Sequence, residues 1–140
     1  MSGRMIGRMP RKRIQDTRKV ALVTGSATGV GAATVLALAQ RGYNLLITYS
    51  KSEEEARQSQ AACRLAGADT LLLRGDVAKD ADCRAMAAAV IERWGRLDAL
   101  VNNAGISVFG EAASWDALDA QAFQRILGVN TVGTFQMVRA

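Results

Sequence analysis

The chain is poor in several residue types on which many enzymes depend. Its 140 residues include no histidine, one proline and two cysteines, and aromatic residues make up only 5% of them. Without histidine, the chain lacks the commonest general base and metal ligand of proteins. Cys63 and Cys83 lack the spacing of metal-binding motifs, so we interpret them as buried or half-buried thiols in a reducing cytoplasm. The sequence therefore predicts no metal site.

Long apolar runs are also absent. No stretch approaches the roughly 20 apolar residues of a membrane span, and the N-terminus lacks the apolar segment of a secretory signal. Hydrophobic residues nevertheless make up 49% of the chain, which is enough for one domain with a real core. We therefore expect a cytoplasmic globular protein with no membrane partner.

The positive charge is concentrated at the N-terminus. The formal net charge is +5, but seven basic residues and a single acid, Asp16, lie within residues 1–19, so the remainder is nearly neutral. We interpret residues 1–18 as a basic, disordered arm. A start further along, at Met5 or Met9, is an alternative, and the composition partly resembles a transit peptide. The arm lacks the aromatic residues and folded frame of a sequence reader, so we expect no specific nucleic-acid binding.

A strand, a glycine-rich turn and a helix follow the arm. Val20–Val23 is a short apolar strand, T-G-S-A-T-G-V-G comes next, and Ala32–Gln40 is rich in helix-forming residues. Gly25 permits the tight turn, Gly29 lets the backbone approach a pyrophosphate, and Gly31 lets the helix pack closely. The helix N-terminus then offers unpaired N–H groups and partial positive charge to phosphates. An ordinary strand–turn–helix connection is the alternative.

Strands and helices alternate along the rest of the chain. We predict strands at Asn44–Tyr49, Thr70–Arg74 and Leu97–Val101, and helices from the N-cap Ser52 to about Ala66, from Asp80 or Ala81 to about Trp94, and from near Asp119. This alternation indicates an α/β fold, a Rossmann-type doubly wound parallel sheet of order 3-2-1-4, over residues 19–140. The first and fourth strands leave the sheet centre in opposite directions, so a cleft should open above their carboxyl ends. The glycine turn and Asn102–Gly105 both belong at that rim.

Four motifs, in order and at matching separations, resemble the N-terminal half of the short-chain dehydrogenase/reductase family. They are T-G-S-A-T-G-V-G at 24–31, Asp76-Val77, Asn102-Asn103-Ala104-Gly105 and Val129-Asn130. The resemblance runs from about Lys19 to Ala140. It implies an oxidoreductase of the carbonyl reductase or alcohol dehydrogenase type, which moves hydride between a nicotinamide cofactor and a small carbonyl or alcohol substrate. A non-catalytic dinucleotide-binding remnant is the second hypothesis, and a nucleic-acid binder acting through the basic arm is the third.

The resemblance also implies roles for individual residues at the cofactor. The cofactor-binding set is Gly25, Ser26, Ala27, Thr28, Gly29, Val30, Gly31, Tyr49, Ser50, Lys51, Asp76, Val77, Asn103, Ala104 and Gly105. In this set Asp76 accepts a hydrogen bond from the adenine amino group, and Val77 lies beside the ring. The segment 103–105 lines the adenosine and ribose side, whereas Asn102 braces the strand ends. A helix N-cap or turn role for Asp76, and a simple turn at 102–105, are the alternatives.

Asn130 matches the family's active-site asparagine, which holds a water in a proton relay. It lies within the last predicted helix, beside Gly128 and close to Gly133, and all three are poor helix formers. This local weakness predicts an irregularity in the helix that serves a site. A polar residue on a solvated helix face is the alternative.

The residues that end the second strand bear on which cofactor is used. A carboxylate there would bind the ribose 2′-hydroxyl and repel a 2′-phosphate. This chain has Tyr49-Ser50-Lys51 instead, and a hydroxyl and an ammonium suit a phosphate, so we favour NADP(H) over NAD(H). Two features count against this preference: Thr28 stands where many NADP-using relatives carry arginine, and glutamates 53–55 follow closely.

The family's catalytic Ser and Tyr-x-x-x-Lys lie beyond the asparagine, and the sequence stops at Ala140 before any of them. Neither Tyr43 nor Tyr49 has a lysine four residues later, so no catalytic acid can be assigned. Leu97–Val101 would form an apolar sheet edge with no further strand beside it. We therefore expect a fragment that is inactive and marginally stable alone, and a homo-oligomer only for a longer chain.

Overall fold

The computed structural model describes residues 17–108 and 118–140. Its elements are β1 (Val20–Val23), α1 (Gly29–Gln40), β2 (Asn44–Tyr49), α2 (Glu53–Leu65), β3 (Thr70–Arg74), α3 (Asp80–Trp94), β4 (Ala99–Val101), α4 (Ala120–Leu127), a π-helical turn (Gly128–Val132) and α5 (Gly133–Arg139). The predicted basic arm lies outside the described residues except for its last two. One of these, Arg18, donates a hydrogen bond to the carbonyl of Gly67 at 2.6 Å, so this end of the arm is attached to the domain.

The sheet has four parallel strands in the order β3-β2-β1-β4. This confirms the predicted α/β fold and the predicted strand order. β1 is fully buried because it pairs on both sides, with Val20 opposite Asn44 and Ala21 opposite Ala99. A strand covered on both faces must be apolar at every position rather than at alternate ones, as V-A-L-V is.

Helices cover both faces of the sheet, and successive strand residues point to opposite layers. On one side Val20, Leu22 and Leu46 pack with α3 and with the π turn and α5, through Met86, Val90, Val129 and Met137. On the other side Ala21, Val23, Leu45 and Ile47 pack with α1 and α2, through Val35, Ala39 and Cys63. Both cysteines are buried thiols, as predicted, and burial raises the pKa of Cys63 to about 11. In the described parts of the chain no helix combines the length and the apolar character that a membrane crossing needs.

Element boundaries differ from the sequence prediction at two places. α1 begins at Gly29 rather than Ala32, because the amide of Ala32 already donates to the carbonyl of Thr28 at 3.2 Å. β4 begins at Ala99 rather than Leu97, since the preceding Asp98 uses its carboxylate to accept from the amide of Val20 at 2.8 Å. The predicted irregularity in the last helix is confirmed as the π turn over Gly128–Val132.

An exposed ion pair links the end of α3 to the start of β3 and predicts an acid sensitivity. The carboxylate of Asp69 accepts from Arg93 at 2.9 Å and from the indole of Trp94 at 2.8 Å. Partial burial alone would raise the pKa of Asp69, but these bonds outweigh it and leave the pKa below the ordinary value. A depressed carboxyl pKa stabilises the fold above the unfolded-state pKa of about 4, and this stabilisation disappears as pH falls through the folded value.

We expect urea unfolding of wild type to show a lower midpoint at pH 3 than at pH 7, and Asp69→Asn to lose less stability between the two. In Asp69→Asn, Arg93 already lacks its ionised partner at neutral pH, so lowering the pH removes nothing further from this pair. An equal loss of stability in both proteins would contradict the assignment of acid sensitivity to this pair.

Candidate functional site

A cleft of about 320 Å³ opens at the carboxyl ends of the strands. Four chain segments meet there: the turn after β1, the ends of β2 and β3, and the loop after β4. Arg125 of α4 and Val129 of the π turn close the far side. The described residues that line it are Gly25, Ala27, Thr28, Val30, Gly31, Thr48, Tyr49, Ser50, Lys51, Ser52, Gly75, Asp76, Val77, Asn103, Ala104, Gly105, Ile106, Arg125 and Val129. The sheet order therefore brings together segments that lie far apart in sequence, as the prediction of a rim above β1 and β4 required.

The glycine turn is held in place by two buried hydroxyl groups. The hydroxyl of Thr48 accepts from the amide of Gly25 at 3.1 Å, and that of Ser26 donates to the carbonyl of Val23 at 2.8 Å. Ser26 also accepts from the amide of Thr48 at 2.9 Å, and its own amide donates to the carbonyl of Thr48. Here the structure departs from the prediction, because Ser26 is fully buried and does not line the cleft. Its side chain fastens the turn to β2 instead.

The first turn of α1 borders the cleft through Val30 and Gly31. Gly29, Val30 and Gly31 are the first residues of that helix, and such residues have no intrahelical acceptor for their amides. Its N-cap, Thr28, makes no side-chain capping bond, and no acidic residue lies in the first turn. This end of the helix therefore presents partial positive charge that no carboxylate of the turn offsets.

The loop after β4 is fastened to the glycine turn by Asn103 and Thr24. The side-chain amide of Asn103 donates to the carbonyls of Thr24 and Gly25, both at 3.0 Å. The Thr24 hydroxyl accepts from the amides of Asn103 and Ala104, again at 3.0 Å. The bracing role predicted for Asn102 thus belongs to Asn103, while Asn102 is exposed. Asn103 still lines the cleft, as predicted.

The end of β2 supplies the cleft with one cation, Lys51. Lys51 forms no ion pair with any residue in the described ranges, and it lines the cleft with Tyr49 and Ser50. The phenol of Tyr49 donates a hydrogen bond to Glu53. The pKa of Tyr49 is raised, mainly by partial burial and next by this hydrogen bond. Glu53 also pairs with Arg57, which lowers the pKa of its carboxyl. Tyr49 therefore stays protonated, and Glu53 is already bound to Arg57 on α2 and to Tyr49 at the end of β2.

Asp76 follows β3 and lines the cleft with its carboxylate. One oxygen accepts from the amide of Ala78 at 3.0 Å and the other from the guanidinium of Arg125 at 2.8 Å. Burial by itself would raise the pKa of Asp76, but these donors outweigh burial and lower it. The cleft thus contains an ionised group that accepts hydrogen bonds and donates none.

Asn130 lies in the π turn and reaches the loop after β4. Its amide nitrogen donates to the carbonyl of Ile106 at 3.0 Å, and its amide oxygen accepts from the Ile106 amide at 2.9 Å. The side chain does not line the cleft, although its neighbour Val129 does. This reciprocal pair fixes the loop at Gly105 and Ile106 against the helix, so Asn130 acts on the site through the backbone.

Thirteen of the fifteen residues predicted to bind cofactor line the cleft; Ser26 and Gly29 do not. Six further residues that line the cleft were not predicted from the sequence: Thr48, Ser52, Gly75, Ile106, Arg125 and Val129. The sequence did contain an indication for Thr48, because a threonine inside an apolar strand must find hydrogen-bond partners when buried. The sequence contained no indication for Arg125, since nothing in a helix sequence predicts a contact with an acidic residue 49 positions earlier.

Comparison with known proteins gives a consistent result. The model of the short chain dehydrogenase family matches residues 19–140. The chain is 38% identical over 117 residues to a candidate ketoacyl reductase of the granaticin polyketide synthase from Streptomyces violaceoruber, covering 84% of this chain and 45% of that protein. It is 34% identical over 121 residues to versicolorin reductase 1 from Aspergillus parasiticus, covering 86% and 45%.

A solved structure resembles the fold closely. A candidate short-chain dehydrogenase/reductase from Burkholderia xenovorans superposes with a TM-score of 0.85 at 42% identity, over 89% of this chain and 51% of that one. Levodione reductase superposes with a TM-score of 0.77 at 32% identity, over 86% of this chain and 46% of that one. The chain thus spans about half the length of these relatives.

Proposed function

Because this chain belongs to the short-chain dehydrogenase family, we propose that its cleft binds a nicotinamide adenine dinucleotide for an oxidoreductase reaction. One observation carries the proposal: the N-terminus of α1, whose first amides have no acceptor within the helix, and the loop after β4 border a single cleft. The nicotinamide, when bound, would supply or accept hydride. The residues present fit such a cofactor, because they offer N–H donors for a diphosphate and a carboxylate acceptor for an amino group.

The pyrophosphate and the adenosine side of the cofactor have matching residues in this proposal. The amides of Val30 and Gly31, which line the cleft, would hold the pyrophosphate, and Asp76 with Val77 would hold the adenine. Asn103 would keep the loop at Ala104 and Gly105 against the glycine turn, so that the adenosine side has a fixed wall. Asn130 would fix that loop from the helix side. The family's asparagine holds a water in a proton relay, and we propose that Asn130 supports this water through the loop backbone that it holds in place.

We favour NADP(H) over NAD(H) within this proposal. Lys51 lines the cleft without a carboxylate partner among the described residues, and an ammonium group suits a 2′-phosphate. Glu53, which would oppose that phosphate, has its charge offset by Arg57 and its second contact taken by Tyr49. Thr28 at the glycine turn and the exposed glutamates 54 and 55 remain the features that count against NADP(H).

The reaction we propose is reduction of a small carbonyl or oxidation of the corresponding alcohol. Two relatives are named as reductases, which supports the reducing direction. A cofactor-binding protein without turnover is the alternative, because no catalytic acid is assigned within these 140 residues. Reading the coding DNA past codon 140 separates the two, since an in-frame Tyr-x-x-x-Lys supports the enzyme. A cytoplasmic location and a homo-oligomeric longer protein complete the proposal.

Titration with NADPH and NADH tests the proposal directly. We expect saturable binding of both by fluorescence or calorimetry, with NADPH bound more tightly. Lys51→Ala should weaken NADPH binding about tenfold and leave NADH nearly unchanged, because it removes a charge-assisted contact made only to the phosphate.

Lys19→Ala provides the matched control for charge. Lys19 is exposed and precedes β1, at the opposite edge of the sheet from the cleft, so its loss should leave both affinities unchanged. An equal weakening of the two cofactors by Lys51→Ala would refute the phosphate contact, and an absence of binding in wild type would refute the proposed function.

A further inference from the structure

Arg125 makes a long-range contact that the proposed function does not explain. It extends from α4 to the carboxylate of Asp76, 49 residues earlier, at 2.8 Å. The side chain of Asp76 is 19% exposed and that of Arg125 47%, so the pair forms at the cleft wall rather than in the core. Both residues line the cleft. A ligand that meets Asp76 would therefore meet a carboxylate already oriented by Arg125.

The Asp76 carboxylate is held from two sides and still has capacity to accept. Ala78 donates to one oxygen and Arg125 to the other, while the Asp76 amide donates to Asp82. A carboxylate has about four lone-pair sites, so each oxygen keeps one for a ligand. The two bonds fix the plane of the group, and the remaining acceptor sites therefore have a defined direction.

The segment around Asp76 is attached to the last helix at two further points. Gln136 donates to the carbonyl of Val77 at 2.7 Å, and Arg139 pairs with Asp80 at 2.6 Å. Neither Gln136 nor Arg139 lines the cleft. These two contacts hold α5, which continues α4 through the π turn. Removal of Arg125 should therefore leave α5 in place, and the effect of its loss should appear at the ligand.

We propose that Arg125 is a positioning residue for adenine recognition: its guanidinium orients the Asp76 carboxylate so that it accepts from the 6-amino group of the base. This inference rests on the proposed function and deepens it, because it says how the cleft selects an amino-purine. A base with a 6-carbonyl group would instead direct an oxygen at the carboxylate, which gives repulsion in place of a hydrogen bond.

The test compares adenine and hypoxanthine forms of the reduced dinucleotide, which differ only at that group. We expect wild type to bind the adenine form about tenfold or more tightly. Arg125→Gln should reduce this preference at least about fivefold, because the shorter, uncharged glutamine side chain removes the guanidinium that orients the carboxylate. Arg125→Lys, which keeps the charge and places an ammonium group with three N–H donors near the carboxylate, should recover at least half of the lost preference.

Arg139→Gln is the matched control, since it removes a similar Arg–Asp pair from the same helical region outside the cleft. It should keep the wild-type preference. If Arg125→Gln does not fold, Arg125→Met, which keeps an unbranched stem and carries no N–H donor, replaces it in the comparison.

The possible outcomes separate the inference from the function. A wild-type preference in folded Arg125→Gln or Arg125→Met would overturn the inference while dinucleotide binding stands. An equal loss in Arg139→Gln, or no recovery in Arg125→Lys, would also overturn it by showing general loosening of the helix. Failure of wild type to bind either dinucleotide would instead remove the proposed function.

Discussion

Replacing Gly31 with alanine should destabilise the fold by at least about 3 kcal/mol, the upper end of the cost of overpacking. A Cβ at this position would clash with the carbonyl oxygen of Gly25 and would lie 2.5 Å from the side-chain nitrogen of Asn103. The first atom belongs to the backbone of the turn. The second is fixed by two hydrogen bonds, so neither can move aside without breaking the site. Urea unfolding measures the loss of stability.

Gly29→Ala separates crowding from backbone conformation. Gly29 has a φ of +56° and open space where an alanine Cβ would lie, so alanine there meets only conformational strain. We expect a stability loss of about 1–2 kcal/mol. We expect the loss in free energy of dinucleotide binding to be larger than this, because the alanine methyl group would lie beside the backbone amides at the start of α1. Gly95→Ala, also at positive φ with open space but in the connection after α3, should cost similar stability and leave affinity unchanged.

The variants at Gly31 and Gly29 together test whether Gly31 makes the close contact described above. A cooperative unfolding transition in Gly31→Ala with the wild-type midpoint would show that the turn and the loop after β4 do not touch as described. A loss in Gly29→Ala equal to that in Gly31→Ala would instead assign both effects to the backbone.

Most of the fold was predictable because its signals are local. Val20–Val23 and Asn44–Tyr49 are apolar runs of strand length, and glycines mark the helix ends at 67 and 95. Right-handed crossovers then leave few orders for four parallel strands. The π turn was also accessible, since Gly128 and Gly133 flank the asparagine that reaches the loop.

The parts of the site that could not be predicted depend on which side chain points where. Asn102 and Asn103 are identical in type, and only the path of the chain after β4 decides that the second braces the turn. Ser26 was predicted to bind cofactor because it lies within the glycine motif, between two residues that line the cleft, yet its hydroxyl accepts from the amide of Thr48 in β2. The ion pair between Arg125 and Asp76 depends on where α4 lies in the fold, and no local sequence pattern predicts that position.

Thr24→Val should be the other variant with a large effect. Valine has nearly the shape of threonine, so the core around this fully buried side chain keeps its packing. The amides of Asn103 and Ala104 would lose the hydroxyl that accepts both of them. The Asn103 amide keeps the carbonyl of Val101 as an acceptor at 3.1 Å, whereas the Ala104 amide loses the acceptor described for it. Since a buried donor without a partner costs about 1–3 kcal/mol, we expect about 1–3 kcal/mol of lost stability. Dinucleotide affinity should fall about tenfold, because the loop is then tied to the glycine turn by the side-chain amide of Asn103 alone among these contacts.

Thr34→Val is the matched control for this substitution. Its hydroxyl is exposed on α1 and donates to the carbonyl of Val30, a bond within the helix that joins no second segment. We expect a change in stability within about 0.5 kcal/mol and unchanged affinity. Urea unfolding and NADPH titration of both variants measure the difference. Wild-type affinity in folded Thr24→Val would show that the loop after β4 holds its place without this hydroxyl, and that the cleft does not depend on the contact between the two motifs.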